Sequence, residues 1–168
     1  MNPHAATPTL SVVDPRTLAV RSVGYCRHPD SPVIDPRITR QRFDTAGRLA
    51  ESWDPRLWVT SKPNLTTVYG LSGQPLLTDS VDGGWQLSLP DHAGSPCSFW
   101  DARGSQRHTE FDEQQRPFTV TEQALGELPC VVERLTYGDS SPAFAEHNQC
   151  GQLIRHDDPA GSQIYPEY

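Results

Sequence analysis

The sequence feature that most constrains the fold of this chain is a five-residue turn pattern that recurs along it. In the full pattern an aromatic residue is followed directly by Asp, then by two variable residues and Gly. The last positions of the copies are 47, 73, 94, 104, 115, 151 and 161, so neighbouring copies lie 10 to 36 residues apart. The copies contain Phe43, Asp44 and Gly47; Tyr69 and Gly73; Asp91 and Gly94; Trp100, Asp101 and Gly104; Asp112 with Gln115 in the glycine position; Asn148 and Gly151; and Asp158 and Gly161.

The residue types in this pattern are those of a hairpin turn. Asp or Asn at the first position of a type I turn accepts hydrogen bonds from nearby backbone N–H groups, and Gly at the fourth position tolerates a positive φ. A type I turn followed by a left-handed residue is a common connection between antiparallel strands. The aromatic residue before the Asp then lies at a strand end, where it contacts a neighbouring strand. The pattern therefore predicts an all-β chain of antiparallel β-hairpin repeats.

The shorter spacings match the length of one strand plus one turn, about 8–12 residues in all-β proteins. Between the turns, residues 85–89 alternate apolar and polar side chains with the period of a half-buried strand. The other segments that we predict as strands are 9–13, 18–25, 38–43 and 117–121.

One segment, residues 121–128, leaves the secondary structure open. Thr121 followed by Glu122 is a plausible helix start, but Gly126 and Pro129 would end the helix quickly. A strand or an irregular segment is an equal alternative there.

Several of these residues resemble a known family. Residues 40–49 resemble an RHS/YD repeat, whose hallmark is Tyr-Asp, two residues, Gly, a basic or polar residue and Leu. Residues 7–14, 20–21, 35–40 and 54–57 resemble the N-terminus of the C component of insecticidal Tc toxin complexes (TccC-like proteins), and 79–84, 100–104 and 151–161 continue the likeness. The resemblance covers nearly the whole chain.

The resemblance implies a structural role. In that family the RHS repeats of the B and C components form a hollow β-sheet shell around an unfolded cytotoxic enzyme, which the C component carries at its own C-terminus. The expected partners are therefore a B-like RHS component and downstream RHS repeats. We expect residues 1–8 to be a flexible tail and residues 9–168 to be an incomplete part of the shell. Because a sheet without its neighbouring repeats has open edges, we also expect the isolated chain to self-associate.

Charge and hydropathy exclude two classes of partner. The 14 Lys and Arg residues and 21 Asp and Glu residues give a net charge of −7, without a basic block. Such a chain is a poor candidate for binding nucleic acid or an anionic membrane. No stretch has the roughly 18 apolar residues of a membrane span, and residues 1–10 lack the features of a signal peptide. We expect synthesis in the bacterial cytoplasm, release as part of a toxin complex, and no direct membrane insertion.

The sequence predicts no catalytic, cofactor-binding or metal-binding residue. Cys150 lies near His147, but three residues apart in a turn they are better explained as coincidence than as a nucleophile and its base. The four cysteines form no CxxC pair, and we expect mostly buried free thiols, with disulfides as the alternative.

The four tryptophans leave a second function open. We expect Trp53, Trp58, Trp85 and Trp100 to fill the packed face of the sheet. The alternative is a stand-alone binding module that recognises a carbohydrate or a protein surface through exposed aromatic residues.

Overall fold

The computed structural model describes residues 7–168 and shows an all-β chain. Its thirteen strands and one four-residue helix are β1 (Thr9–Val13), β2 (Ala19–Arg27), β3 (Ile34–Phe43), β4 (Leu49–Trp53), β5 (Leu65–Tyr69), β6 (Pro75–Ser80), β7 (Gly84–Pro90), β8 (Pro96–Asp101), β9 (Gln106–Phe111), β10 (Pro117–Gln123), β11 (Cys130–Tyr137), α1 (Pro142–Ala145), β12 (Leu153–Asp158) and β13 (Gly161–Ile164). The prediction of an all-β fold is confirmed. Of the tail predicted for residues 1–8, residues 1–6 lie outside the described residues.

The chain divides into two units, the first ending at Trp85 and the second running from Gln86 to Tyr168. In the first unit, β1 to β6 pair antiparallel, each with the next strand along the chain. In the second unit, β7 to β13 pair in the same way. Each unit is therefore an antiparallel meander, the topology that short hairpin turns favour.

The segment 121–128, for which strand, helix and irregular chain were open, begins as a strand. β10 continues to Gln123, and the chain then turns, with the Glu127 N–H donating to the Ala124 carbonyl (3.0 Å). Gly126 lies in this turn at φ 79°. A helix there would remove residues 121–123 from their ladder with β9.

Four hairpin ends share one irregularity, which is absent from the hairpins between β2 and β3 and between β12 and β13. The register shifts by one residue between Val12 and Val13, between Arg42 and Phe43, and at the corresponding ends of β5 and β7. Each shift lies directly before a hairpin turn. This is the arrangement of a type I turn combined with a β-bulge, and it re-aims the last side chain of the strand.

Very little of either unit is buried. Within residues 7–168 the buried residues are Trp53, Val120, Gly138 and Gln149, with Trp53 5% and Val120 3% exposed. All five residues of β1 are exposed. Because area removed from water is the main favourable term in folding, these sheets depend strongly on backbone ladders and on side chains that connect one turn to the next.

The cysteines show the consequence of this shallow burial. All four are free, but Cys26, Cys130 and Cys150 are exposed and Cys97 is half-buried. The prediction of mostly buried thiols is wrong, because each unit offers few buried positions of any kind.

Candidate functional site: the turn clamps

The hairpin turn between β3 and β4 is closed by Asp44 at both its backbone and its side chain. The Asp44 N–H donates to the Arg48 carbonyl (2.9 Å), and the Gly47 N–H donates to the Asp44 carbonyl (3.1 Å). The Arg48 N–H donates to Asp44 Oδ1 (2.9 Å). Gly47 has φ 82°, the left-handed conformation that closes such a turn at low steric cost.

The same arrangement recurs at four further Asp residues. The side chains of Asp14, Asp91, Asp101 and Asp112 each accept a hydrogen bond from the backbone N–H four residues later, at 2.9–3.0 Å. The residues in the left-handed position are Thr17 (φ 66°), Gly94 (φ 91°), Gly104 (φ 81°) and Gln115 (φ 62°). At Tyr69 the pattern lacks Asp, and the 70–73 turn keeps only its backbone bonds, with Gly73 at φ 87°.

Two copies of the sequence pattern have a different geometry. Asp158 Oδ1 accepts from the N–H groups of Ala160 (2.8 Å) and Gly161 (3.0 Å), and Asp158 lies directly opposite Gly161 in the ladder between β12 and β13. The hairpin there has a two-residue loop, and Gly161 has φ 146°.

Asn148 and Gly151 do not close a hairpin with each other. The Gly151 N–H donates to the Gly138 carbonyl (2.8 Å), and Asn148 Nδ2 donates to the Tyr168 carbonyl (3.1 Å). These residues hold together the segment between β11 and β12 that contains α1.

Arg48 extends the turn at Asp44 into a clamp that reaches the next hairpin. Its Nε donates to Asp44 Oδ2 (2.7 Å), and its Nη1 donates to the Gly70 carbonyl (3.1 Å). Its guanidinium lies 4.8 Å from the centre of the Tyr69 ring, and the Tyr69 hydroxyl donates to the Leu49 carbonyl (2.9 Å). We call Asp44, Arg48 and Tyr69 the first turn clamp.

The second unit contains a copy of this clamp. Arg116 Nε donates to Asp112 Oδ2 (2.8 Å), and Arg116 Nη1 donates to the Gly151 carbonyl (3.0 Å). The Arg116 guanidinium lies 4.2 Å from the Tyr137 ring centre, and the Tyr137 hydroxyl donates to the Pro117 carbonyl (2.9 Å). We call Asp112, Arg116 and Tyr137 the second turn clamp.

The two clamps are related by a constant offset in sequence. The differences 112 − 44, 116 − 48 and 137 − 69 are all 68. Sequence reasoning singled out Asp44, Asp112 and Tyr69 but not the two arginines or Tyr137. The available signal was an Arg four residues after the Asp and a Tyr-Gly pair beginning 25 residues after it, in both places.

The clamps keep their carboxylates charged. Hydrogen bonding from the backbone of Arg48 and from its side chain, which outweighs partial desolvation, holds the pKa of Asp44 below its usual value. Backbone and side-chain bonds from Arg116 lower the pKa of Asp112 in the same way. Burial raises the pKa of Tyr137. At neutral pH the carboxylate of each clamp is therefore charged and forms an ion pair with its arginine.

Chemistry of other kinds has little support in residues 7–168. No cluster of three or more His, Cys, Asp or Glu side chains in that range is placed to hold a metal ion. No helix of the described chain has the length and apolar character needed to cross a membrane.

A shallow cavity of about 300 Å³ lies beside Trp100 in the second unit. Trp100 Nε1 donates to Gln106 Oε1 (3.3 Å), and Ser98 Oγ is hydrogen-bonded to His108 Nδ1 (3.0 Å). The four side chains line the same cavity. An indole beside hydroxyl, amide and imidazole groups is chemically suited to a hydroxyl-rich ligand.

Comparison with known proteins identifies relatives among toxin subunits. No protein-family model matches the chain. The toxin subunit YenC1 of Yersinia entomophaga is 34% identical over 168 residues, which is 94% of this chain and 17% of that protein. The toxin subunit YenC2 of the same organism is 34% identical over 171 residues, which is 92% of this chain and 18% of that protein. The chain thus spans less than a fifth of the length of these relatives.

Solved structures show the same likeness in three dimensions. The Photorhabdus luminescens Tc holotoxin pore matches 99% of this chain and 8% of its own with a TM-score of 0.89 and 34% identity. The crystal structure of TcdB2–TccC3 matches 96% of this chain and 8% of its own with a TM-score of 0.86 and 34% identity. The likeness therefore extends over both units of the chain.

Proposed function

From the similarity of this chain to Tc toxin subunits of the C type, we propose that it is a non-catalytic wall segment of a bacterial RHS-repeat toxin shell. In this role it assembles with a B-like RHS component and with downstream RHS repeats, and the shell encapsulates a cytotoxic effector. Residues 9–168 form the wall segment. The assembled complex, released from the bacterium, is the working form.

The observation that carries this proposal is the repetition of the turn clamp in units that bury almost nothing. A free-standing enzyme or receptor of this length normally has a substantial core, whereas the described chain buries four residues. The clamps compensate locally, because Arg48 in the first unit and Arg116 in the second each connect one hairpin turn to a later turn. Such a construction suits a thin wall whose faces and edges are covered by other parts of an assembly.

In this role the turn residues are structural. Asp44, Asp91, Asp101 and Asp158 cap the hairpins through their side chains, and the glycines at 47, 73, 94 and 104 occupy the left-handed positions. None of them needs to contact an effector for the shell to form.

The test is assembly with a B-like RHS component of a Tc toxin complex. We expect the two chains to co-elute in size-exclusion chromatography when co-expressed. The chain alone should self-associate as its concentration rises, because β1 and β13 each pair on one side only within the described residues. Sedimentation that shows a compact monomer across a wide concentration range, with no B-component binding, would contradict the proposal.

A second candidate function rests on the cavity beside Trp100. A stand-alone module would bind a carbohydrate there, by stacking on the indole and by hydrogen bonds to Gln106 and His108. A glycan array comparing the wild-type chain with Trp100→Ala tests it, and Trp85→Ala is the matched control because Trp85 is exposed (42%) outside that cavity. Glycan binding that Trp100→Ala abolishes and Trp85→Ala preserves would favour the module over the wall.

A further inference from the structure

Arginines are concentrated on β2 and β3 of an otherwise acidic chain. The five arginines of these strands are Arg21, Arg27, Arg37, Arg40 and Arg42. Residues 1–85 contain 9 basic and 8 acidic residues, a net charge of +1, whereas residues 86–168 contain 5 basic and 13 acidic residues, a net charge of −8. The first unit is therefore the basic part of the molecule.

Within residues 7–168, two of these five arginines have carboxylate partners, and the other three, Arg21, Arg27 and Arg40, do not. Arg37 forms an ion pair with Asp35, with Arg37 Nε 3.5 Å from Asp35 Oδ2. Arg42 forms an ion pair with Glu51. Arg21 and Arg40 lie directly opposite each other in the ladder between β2 and β3. Within residues 7–168 neither of these two guanidinium groups forms an ion pair with a carboxylate.

Arg40 is held in place by neutral groups. Its guanidinium lies 3.8 Å from the centre of the Trp53 ring, and its Nη2 donates to the Thr60 carbonyl (3.4 Å). In the described part of the chain, Arg40 Nε and Trp53 Nε1 are buried without a hydrogen-bond acceptor. Two donor groups beside this guanidinium therefore lack an acceptor, one of them on the charged guanidinium itself.

Directly opposed like charges on a sheet are destabilising, and an anion between them reverses that effect. Opposed side chains have Cβ atoms about 4.5–5.5 Å apart, close enough for two guanidinium groups to share one carboxylate. A guanidinium that is fixed by stacking loses less rotamer freedom when it binds. The pair is thus partly pre-organised for a planar anion.

The surroundings of the pair favour a polypeptide over a nucleic acid. Val12 lies directly opposite Arg21 in the ladder between β1 and β2, so its side chain is on the same face, and it is 48% exposed. Leu10, two residues away along β1, is on that face and is also 48% exposed. Two cations beside an exposed aliphatic strip match a carboxylate flanked by apolar side chains.

We propose that Arg21 and Arg40, with Leu10 and Val12 beside them, form a docking site for an acidic polypeptide segment that carries apolar residues next to its carboxylates. One carboxylate bridges the two guanidinium groups, and the neighbouring apolar side chains contact β1. This site would operate whether or not the chain is a wall segment.

The test is the binding of a short fluorescein-labelled Glu-rich peptide that also contains valines, followed by fluorescence anisotropy on the full chain. We expect binding that weakens with added salt and that is absent for the same peptide with Gln in place of Glu. Arg21→Gln should lower the affinity about tenfold, as expected for the loss of one charge-assisted bond. Arg21→Gln with Arg40→Lys should lower it further, because Lys lacks the planar fork.

Arg103→Gln is the matched control, since it removes one exposed positive charge from a turn of the second unit and should leave the affinity unchanged. Arg21 is exposed, and its guanidinium forms no hydrogen bond or ion pair within residues 7–168. Arg21→Gln therefore keeps the test valid even if replacement of Arg40 disturbs the sheet. Equal affinities for wild type and Arg21→Gln would overturn the proposal. So would acetate competing as strongly as the peptide, or single-stranded DNA binding as tightly as the peptide and with the same dependence on Arg21.

Discussion

The turn at 44–48 in the first unit and the turn at 112–116 in the second are closed by the same two backbone bonds and the same Asp–Arg bonds, although only the first has glycine in its left-handed position. Gly47 has φ 82° and Gln115 has φ 62°. A residue with a side chain costs about 1–2 kcal/mol in this conformation. The Asp112 turn nevertheless forms, with its two backbone bonds at 2.9 Å. The Asp–Arg clamp can therefore close such a turn without glycine, and glycine only lowers the cost.

The regions after the two clamp tyrosines differ more. Gly70 begins a four-residue turn and accepts the Arg48 bond, whereas Gly138 begins a longer excursion that returns at Gly151. In the second unit Gly151, rather than Gly138, accepts the arginine bond. A Cβ on Gly138 would collide with the Gln149 carbonyl, so that glycine is required by close backbone approach. The glycine of the Tyr-Gly pair therefore has a different role in each unit. Gly70 accepts the arginine bond, and Gly138 allows the close backbone approach.

The largest effect should come from removing the clamp carboxylates. Asp44→Ala deletes the acceptor of the Arg48 N–H and of the Arg48 side chain. Asp112→Ala deletes the acceptor of two backbone N–H groups, those of Gln114 and Arg116, and of the Arg116 side chain. We expect both variants to lower the denaturation midpoint. Asp112→Ala should lower it more, because Gln115, rather than glycine, occupies the left-handed position of that turn. Urea unfolding measures this, with the exposed neighbour Glu113→Ala as control. Similar midpoints for all three variants would contradict the clamp.

Gly104→Ala should be the most costly of the glycine replacements in the hairpin turns. A Cβ at Gly104 would lie 2.9 Å from Leu125 Cδ1, in addition to the strain of φ 81°. At Gly47 the nearest atom is Leu18 Cδ1 at 3.8 Å, an ordinary contact. We expect Gly104→Ala to destabilise by more than about 1 kcal/mol. A smaller loss than that of Gly47→Ala would show that Leu125 moves aside freely.

Substitutions at Gly47 and Gln115 compare the energetic cost of the left-handed position in the two turns. Gly47→Ala should cost about 1 kcal/mol through φ alone, and Gln115→Gly should stabilise by a few tenths to about 1 kcal/mol. The two changes have opposite signs because the turns have the same backbone. Thermal and urea unfolding of both variants would measure them, and a destabilising Gln115→Gly would mean that the Gln115 side chain contributes more than its strain removes.

The clamp tyrosines provide an equal pair. Tyr69→Phe and Tyr137→Phe each remove a 2.9 Å hydrogen bond to a backbone carbonyl and retain the ring beside the arginine. We expect each to cost roughly 0.5–1 kcal/mol. Values that differ greatly between the two variants would show that the clamps are not equivalent, for example because Tyr137 is more desolvated.

Acid should weaken both clamps together. The folded pKa values of Asp44 and Asp112 lie below the ordinary value for Asp, about 3.9. Their contribution to stability is therefore fully present above that ordinary value and is lost as the pH falls through the lower folded pKa. The expected change between pH 7 and pH 5 is small, and the loss should steepen below pH 4. Asp44→Asn with Asp112→Asn should flatten the acid limb of the stability curve, and an unchanged limb would assign it to other carboxylates.

Much of the fold could be predicted from the sequence because hairpin turns are coded locally. The Asp and Gly positions around 44 and 101 specify a turn within five residues, and no distant residue is needed. The repeated Asp, Arg and Tyr-Gly spacing marks the clamps, but their partners could not be predicted, since Arg48 meets Gly70 and Arg116 meets Gly151 only after intervening strands have paired. The Asn148–Gly151 copy has the residue types of a turn but different partners, which lie at Gly138 and Tyr168.

The pairing of each strand with the next one along the chain, within each unit, has a consequence for how the protein folds. Apart from the longer connections between β4 and β5 and between β11 and β12, the hairpins close short loops. Little entropy is lost before the bonds of such a hairpin form, and low contact order favours rapid folding. When a strand emerges from the ribosome, the preceding strand with which it pairs has already been synthesised. The chain can therefore fold progressively from its N-terminus, in the order of its synthesis. If one end of a unit were pulled by a mechanical force, the unit would unfold one hairpin at a time.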